Sequence, residues 1–122
     1  MRKIIPTFIL ASALLLTSCG DKLTKIESDE TLDNGTNVVM FSATWCGACK
    51  RQHPKLEELS EALPEVNFFL IDVDESKDLS TKYKIEYLPT TLVFKDGKVI
   101  KTYVGVMTDY QLSELETLLK IM

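Results

Sequence analysis

Two cysteines stand two residues apart in Trp45-Cys46-Gly47-Ala48-Cys49-Lys50. They follow an apolar run, Val38-Val39-Met40-Phe41, and open a stretch with helical spacing. A close cysteine pair at a strand-to-helix junction suits dithiol–disulfide chemistry. With a helix starting at Cys46, that sulfur lies over unpaired backbone N–H groups and the positive end of the helix dipole, and both favour thiolate. A free cysteine titrates near about 8.5, and such a site brings it to roughly 3.5–7.5. Cys49 falls one turn further in, close enough to close a short ring with Cys46. His53, four residues after Cys49, opens a different chemistry: copper or zinc held by Cys46, Cys49 and His53. Two thiolates fall short of the four ligands of a closed zinc site, and the histidine reads more simply as a helix-surface residue. Asp72-Val73-Asp74-Glu75-Ser76 begins like a calcium loop. Lys77 then occupies the glycine position and Tyr83 the terminal glutamate position, which fits a solvated strand end. The expectation is therefore a redox pair, no metal, and no cofactor beyond the Cys46–Cys49 disulfide.

The third cysteine has another use. Met1-Arg2-Lys3 is a short positive region, and Ile4 to Leu16 is mostly apolar. That stretch is short for a bilayer span, which needs about 20 residues, and suits the core of a signal peptide. It ends in Leu16-Thr17-Ser18-Cys19, which resembles the bacterial lipoprotein cleavage box. The resemblance implies a signal peptide over 1–18, a lipid on Cys19, and a tether over 19–22. The competing reading is an ordinary signal peptide with an incidental cysteine. The expected location is the bacterial cell envelope, lipid-anchored, facing the periplasm or the outer cell surface. With Cys19 assigned to the anchor, no cysteine remains for a structural disulfide, so packing must stabilise the core. An exported chain with one close pair points to redox chemistry more than to a disulfide scaffold.

Composition allows one domain in 122 residues, with 45% hydrophobic and 26% charged residues, as in an ordinary globular protein. No long basic run appears, so nucleic acid is not an expected partner. Removing residues 1–18 takes Arg2 and Lys3 and no acid, leaving 12 basic against 18 acidic residues, a net charge of −6. That balance disfavours anionic partners and says little else.

The elements that must position the pair are legible in order. Leu23-Thr24-Lys25-Ile26 reads as a short edge strand. Ser28 to Leu32 reads as one or two helical turns capped by Ser28 and stopped by Asn34-Gly35. Val38 to Ser42 is a buried strand by its unbroken apolar run. Cys46 or Gly47 to Leu63 is a helix, with Cys49, Leu56, Leu59 and Leu63 near one face. Pro54 should kink it and Pro64 end it. Val66 to Val73 is a second buried strand, and Ser76 to Tyr83 a short helix. Thr90 to Phe94 runs into Lys95-Asp96-Gly97-Lys98, a hairpin signal, and Val99 to Val104 returns. Thr108-Asp109-Tyr110-Gln111 resembles a capping box. Leu112, Leu115, Leu118 and Leu119 behind it make an apolar helical face that should cover the sheet.

Residues 23–122, read this way, resemble the thioredoxin family. Trp45-Cys46-Gly47-Ala48-Cys49-Lys50 stands where thioredoxins have Trp-Cys-Gly-Pro-Cys-Lys. Pro54 matches the family's helix-kinking proline, and Leu88-Pro89-Thr90 the loop whose proline is cis and faces the disulfide. Phe94-Lys95-Asp96-Gly97 matches the strand-turn that follows, and Val104-Gly105 the glycine that lets a substrate backbone approach. The resemblance implies an α/β thioredoxin fold, a central mixed β-sheet flanked by helices, over one domain at 23–122, expected to be a monomer. It implies a thiol–disulfide oxidoreductase in which Cys46 attacks and Cys49 resolves. Trp45, Gly47, Ala48, Leu88, Pro89, Thr90 and Gly105 would line a groove for an extended protein substrate.

Three departures accompany the match. Met40 stands where thioredoxins usually keep a buried aspartate, and Leu70 where its lysine partner often lies. Ala48 replaces the motif proline. The segment before Val38 is short, which should stunt the first helix. The implied partners are protein thiols and disulfides, the membrane through the lipid on Cys19, and a membrane redox protein for turnover. A reductant would draw on a thiol-electron conduit, an oxidant on a quinone-linked oxidase, and the reducing direction is the expected one. The metal-binding module, and a non-catalytic adaptor on the same fold, are the alternatives.

Overall fold

The computed structural model describes residues 23–122. The expected signal peptide, Cys19 and the tether lie outside these residues. Five strands form one sheet in the order β1-β3-β2-β4-β5: β1 Thr24–Lys25, β2 Thr36–Ser42, β3 Asn67–Asp72, β4 Thr90–Lys95 and β5 Lys98–Val104. β1 and β2 run parallel to β3, and β4 runs antiparallel to both β2 and β5. The sheet is therefore mixed. The helices are α1 Gly47–Ala62, α2 Lys77–Lys82 and α3 Asp109–Ile121.

β2 is central and buried on both faces, which is why Val38–Phe41 carries no polar residue. Val38 and Met40 face a cluster that holds Cys46, Cys49, Leu56 and Leu59 of the α1 region and Leu115 and Leu119 of α3. Val39 and Phe41 face the opposite cluster with Leu32, Ile71, Leu79 and Phe94. The period-two alternation of the strand thus divides one apolar run between two layers of helix.

The first helix is reduced to a single 3₁₀ turn, Glu30–Asp33, which buries Leu32. Ser28 Oγ accepts from Glu30 N at 3.2 Å, one residue ahead of the N-cap position, Asp29. Asp29 ties this turn to α2: its Oδ2 accepts from Lys82 Nζ at 2.5 Å and from the Tyr83 hydroxyl at 2.7 Å. The Tyr83 ring packs edge-on against Phe94 with centroids 5.4 Å apart.

The hairpin turns at Asp96 and Gly97, both with positive φ (47° and 86°), as a two-residue turn between right-twisted strands requires. Gly35 N donates to Asp96 Oδ1 and Asp96 N to Gly35 O, each at 2.9 Å, fixing the tip against the chain entering β2. A bulge between Val93 and Phe94 shifts the β4–β5 register by one residue, a feature no sequence pattern announced. The capping box of α3 is complete: Gln111 N donates to Thr108 Oγ1 at 3.1 Å and Thr108 N to Gln111 Oε1 at 3.0 Å. α1 runs unbroken through Pro54 and ends before Pro64.

Candidate active site

The parallel strands β2 and β3 end on the same side of the sheet, and the chain leaving β2 turns there into α1. A ligand in such sheets sits beyond the carboxyl ends of the strands. Cys46 is the N-cap of α1, with extended backbone at φ −89° and ψ 108°. Its Sγ accepts from Cys49 N at 3.1 Å, taking the place of a capping oxygen. The two cysteines form a disulfide with Cα atoms 5.3 Å apart. Both are nearly buried: Cys46 keeps 6% of its surface and Cys49 2%. The outer sulfur is thus the one at the helix terminus, where N–H groups and the dipole favour negative charge.

The ring of groups around the pair comes from three connections. Trp45, before Cys46, is 69% exposed, and its Nε1 donates to Asp74 Oδ2 at 2.8 Å. Asp74 is held in turn by the loop after β3. Asp72 Oδ1 accepts from Asp74 N at 2.8 Å and from Glu75 N at 3.3 Å, and Val73 N donates to Ser42 O at 2.9 Å. That geometry gives the Asp72–Ser76 segment a use the sequence did not reveal: it anchors the indole. The Leu88–Pro89 peptide is cis, and Pro89 is buried. Pro89 O accepts from Gly105 N at 2.7 Å, which brings the ends of β4 and β5 together beneath the loop. Thr90 Oγ1 donates to Tyr87 O at 2.6 Å. Gly105 has φ +86°, and a side chain there would meet no atom within 4 Å. Backbone conformation alone therefore calls for glycine at this position. Gly47 is exposed on the first turn of α1, and Ala48 packs against the core cluster.

A groove of about 450 Å³ runs past Cys46, between Trp45 and Asp74 on one side and Ile85, Tyr87 and Leu88 on the other. Tyr87 is 66% exposed. Sequence reasoning passed over Tyr87 and Ile85, although their place just before Leu88-Pro89 was a signal. It also passed over Gln52. This side chain is fully buried in α1, and its Oε1 accepts from Met107 N at 2.7 Å, locking the helix to the segment after Gly105.

The sheet beneath the pair is apolar where an acid–base group was in question. Met40 is 1% exposed and lies in register with Leu70 of β3 and Thr91 of β4. Thr91 Oγ1 is buried and has no hydrogen-bond partner among the described residues. Among the described residues, no three His, Cys, Asp or Glu side chains are grouped to hold a metal ion. In this oxidised state the sulfurs of Cys46 and Cys49 are bonded to each other. His53, one turn beyond Cys49, has its Nδ1 3.5 Å from Glu57 Oε1.

The thioredoxin family model matches residues 21–117. The chain belongs to the thioredoxin family. It is 38% identical over 95 residues to thioredoxin of Staphylococcus saprophyticus, covering 77% of this chain and 91% of that one. It is 46% identical over 68 residues to thioredoxin-1 of Saccharomyces cerevisiae, covering 56% and 66%. Among solved structures it is similar to mitochondrial thioredoxin 3 of Saccharomyces cerevisiae in its oxidised form. The TM-score there is 0.71 at 33% identity, over 82% of this chain and 95% of that one. Thioredoxins act on protein disulfides through a redox-active disulfide, and in this chain that disulfide is Cys46–Cys49. The protein is a thiol–disulfide oxidoreductase. The first helix, expected to be stunted, is the single 3₁₀ turn Glu30–Asp33.

Proposed function

We propose that this thioredoxin works outside the cytoplasm, anchored to a bacterial membrane by lipid on Cys19, and reduces protein disulfides there. Cys46 attacks and Cys49 resolves. The observation that carries the order of attack is the position of Cys46 Sγ at the N-cap of α1, on the groove, with Cys49 one turn behind it.

The electrons balance in two displacements. The Cys46 thiolate attacks one sulfur of the substrate disulfide, forming a mixed disulfide and releasing the other substrate sulfur as thiolate. The Cys49 thiolate then attacks Cys46 Sγ. The second substrate sulfur leaves, the substrate has gained two electrons, and Cys46–Cys49 is oxidised. Trp45, Gly47, Ala48, Leu88, Pro89, Thr90 and Gly105 bind the substrate chain. Pro89 has no N–H to offer, so neighbouring backbone groups pair with an extended segment laid across the groove. A membrane redox protein returns electrons to the pair.

The anchor is supported by Leu16-Thr17-Ser18-Cys19 behind a short positive and apolar leader. Equilibration with thiol buffers tests the direction. A reductant has a potential below about −200 mV, on the side of the about −270 mV of thioredoxins, whereas a value near about −120 mV marks an oxidant and overturns this reading. Cys19→Ser should release the protein from membranes or stall its processing, and unchanged lipid labelling would refute the anchor.

A further inference from the structure

A second, smaller cavity of about 240 Å³ opens on the other side of the disulfide, and it is Cys49 that lines it. Leu70 forms part of its wall, and Lys25, Lys50 and Asp72 stand around it. His53 lines the same cavity. The two residues are four apart on α1 and so share a face. Nδ1 of the imidazole lies 3.5 Å from Glu57 Oε1, and the ring shares the cavity wall with Cys49 one turn back. We propose that His53 receives the proton of Cys49, through water in this cavity, when Cys49 resolves the mixed disulfide. This deepens the proposed mechanism and rests on Cys49 being the resolving thiol.

Chemistry favours the imidazole. The Cys49 S–H must ionise before its sulfur attacks Cys46, and Met40 and Leu70 offer no acceptor from the sheet. An acceptor works best when its own proton affinity lies close to that of the donor and to the working pH, and imidazole is the side chain that titrates there. In the step, Cys49 gives its proton to a water, which gives one to His53. The thiolate forms the bond to Cys46 Sγ as the substrate thiolate leaves. The imidazolium then returns its proton to solvent or to that leaving sulfur. The charged groups around His53 are Glu57, 3.5 Å from Nδ1 on the same helix, and Asp72 of β3, Lys50 of α1 and Lys25 of β1 in the cavity wall. Lys25 is itself paired with Glu75 at 2.6 Å. Asp72 is the rival acceptor, but its Oδ1 already accepts two backbone N–H groups.

The test is single-turnover reaction of the reduced protein with a chromogenic aromatic disulfide between pH 5 and 9. Attack by Cys46 releases one coloured thiolate and resolution by Cys49 a second, so the two steps are read apart. Wild type should show an inflection of the second phase within the imidazole range, about pH 5–8. His53→Gln should slow that phase by about tenfold or more at pH 7 and remove the inflection, with the first phase unchanged. Free imidazole should restore His53→Ala. The proposal is overturned if His53→Gln keeps the wild-type profile, if imidazole restores nothing, or if Asp72→Asn removes the inflection instead. Cys49→Ser must stop after the first coloured thiolate. If it does not, the resolving assignment is what fails, whatever His53 does.

Discussion

At position 40 the sheet presents a thioether between Leu70 and Thr91, so a proton leaving Cys49 finds no acid or base at that level of the sheet. Resolution must therefore depend on groups reached through solvent, and its rate must rise as pH rises. Met40→Asp would place a carboxylate on this spot, facing a Thr91 hydroxyl that has no partner among the described residues. General-base assistance is worth about 10²–10⁴ in rate, so even partial assistance should speed the resolving phase about tenfold at pH 8 and reshape its pH profile. The same substitution buries a carboxylate and removes a packed thioether, and should lower stability by at least about 2 kcal/mol. Stopped-flow kinetics between pH 6 and 9, read beside urea unfolding, check both. Indistinguishable profiles in two folded proteins would contradict the role given to Met40. The methionine itself is legible in the sequence, six residues before Cys46. The orphaned Thr91 hydroxyl opposite it was not visible, because register across β2 and β4 is a tertiary fact.

The elements hold the site through a few polar ties, and those ties carry the next expectations. Gln52 fixes α1 to the segment after Gly105 by accepting from Met107 N. Gln52→Met keeps the volume and leaves that buried N–H without its acceptor, which should cost about 1–3 kcal/mol in denaturant unfolding. An unchanged midpoint would mean the tie contributes nothing. On the opposite face Asp29 joins the 3₁₀ turn to α2. The bond from Lys82, then that from Tyr83, holds the Asp29 carboxyl below its usual range. Burial first, and then the bond to Asp29, pushes the Tyr83 phenol up. A depressed carboxyl stabilises the fold above its unfolded value of about 3.9, and that stability is lost as pH falls through the lower folded value. Asp29→Asn should therefore lower the unfolding midpoint at pH 7, and its difference from wild type should close below about pH 4. A difference that persists at pH 2 would point to packing rather than charge. The sequence announced the strands, the hairpin and the α3 capping box through patterns local to each. It left these ties hidden, because Gln52 and Met107 are 55 residues apart and Asp29 and Tyr83 are 54.

The whole molecule is a mixed sheet whose parallel strands end under the cysteine pair and whose antiparallel hairpin brings Gly105 to the cis Pro89. The fold was legible because short motifs occur in order, and most carry a conformational demand that the structure meets, although α1 runs unbroken through Pro54. Cys46 caps a helix, Pro89 is cis, and Gly97 and Gly105 have positive φ. What escaped the sequence was part of the groove's lining, since Tyr87 and Asp74 acquire their places only when separate loops converge on Trp45 and Cys46. The central claim is that substrate is captured by Cys46 and released by Cys49. Its most direct test is mass spectrometry of the mixed disulfides formed by Cys49→Ser and by Cys46→Ser with a protein disulfide substrate. The account predicts that Cys49→Ser accumulates covalent complexes joined through Cys46, and that Cys46→Ser accumulates almost none. Complexes trapped by Cys46→Ser through Cys49, with none in Cys49→Ser, would contradict it.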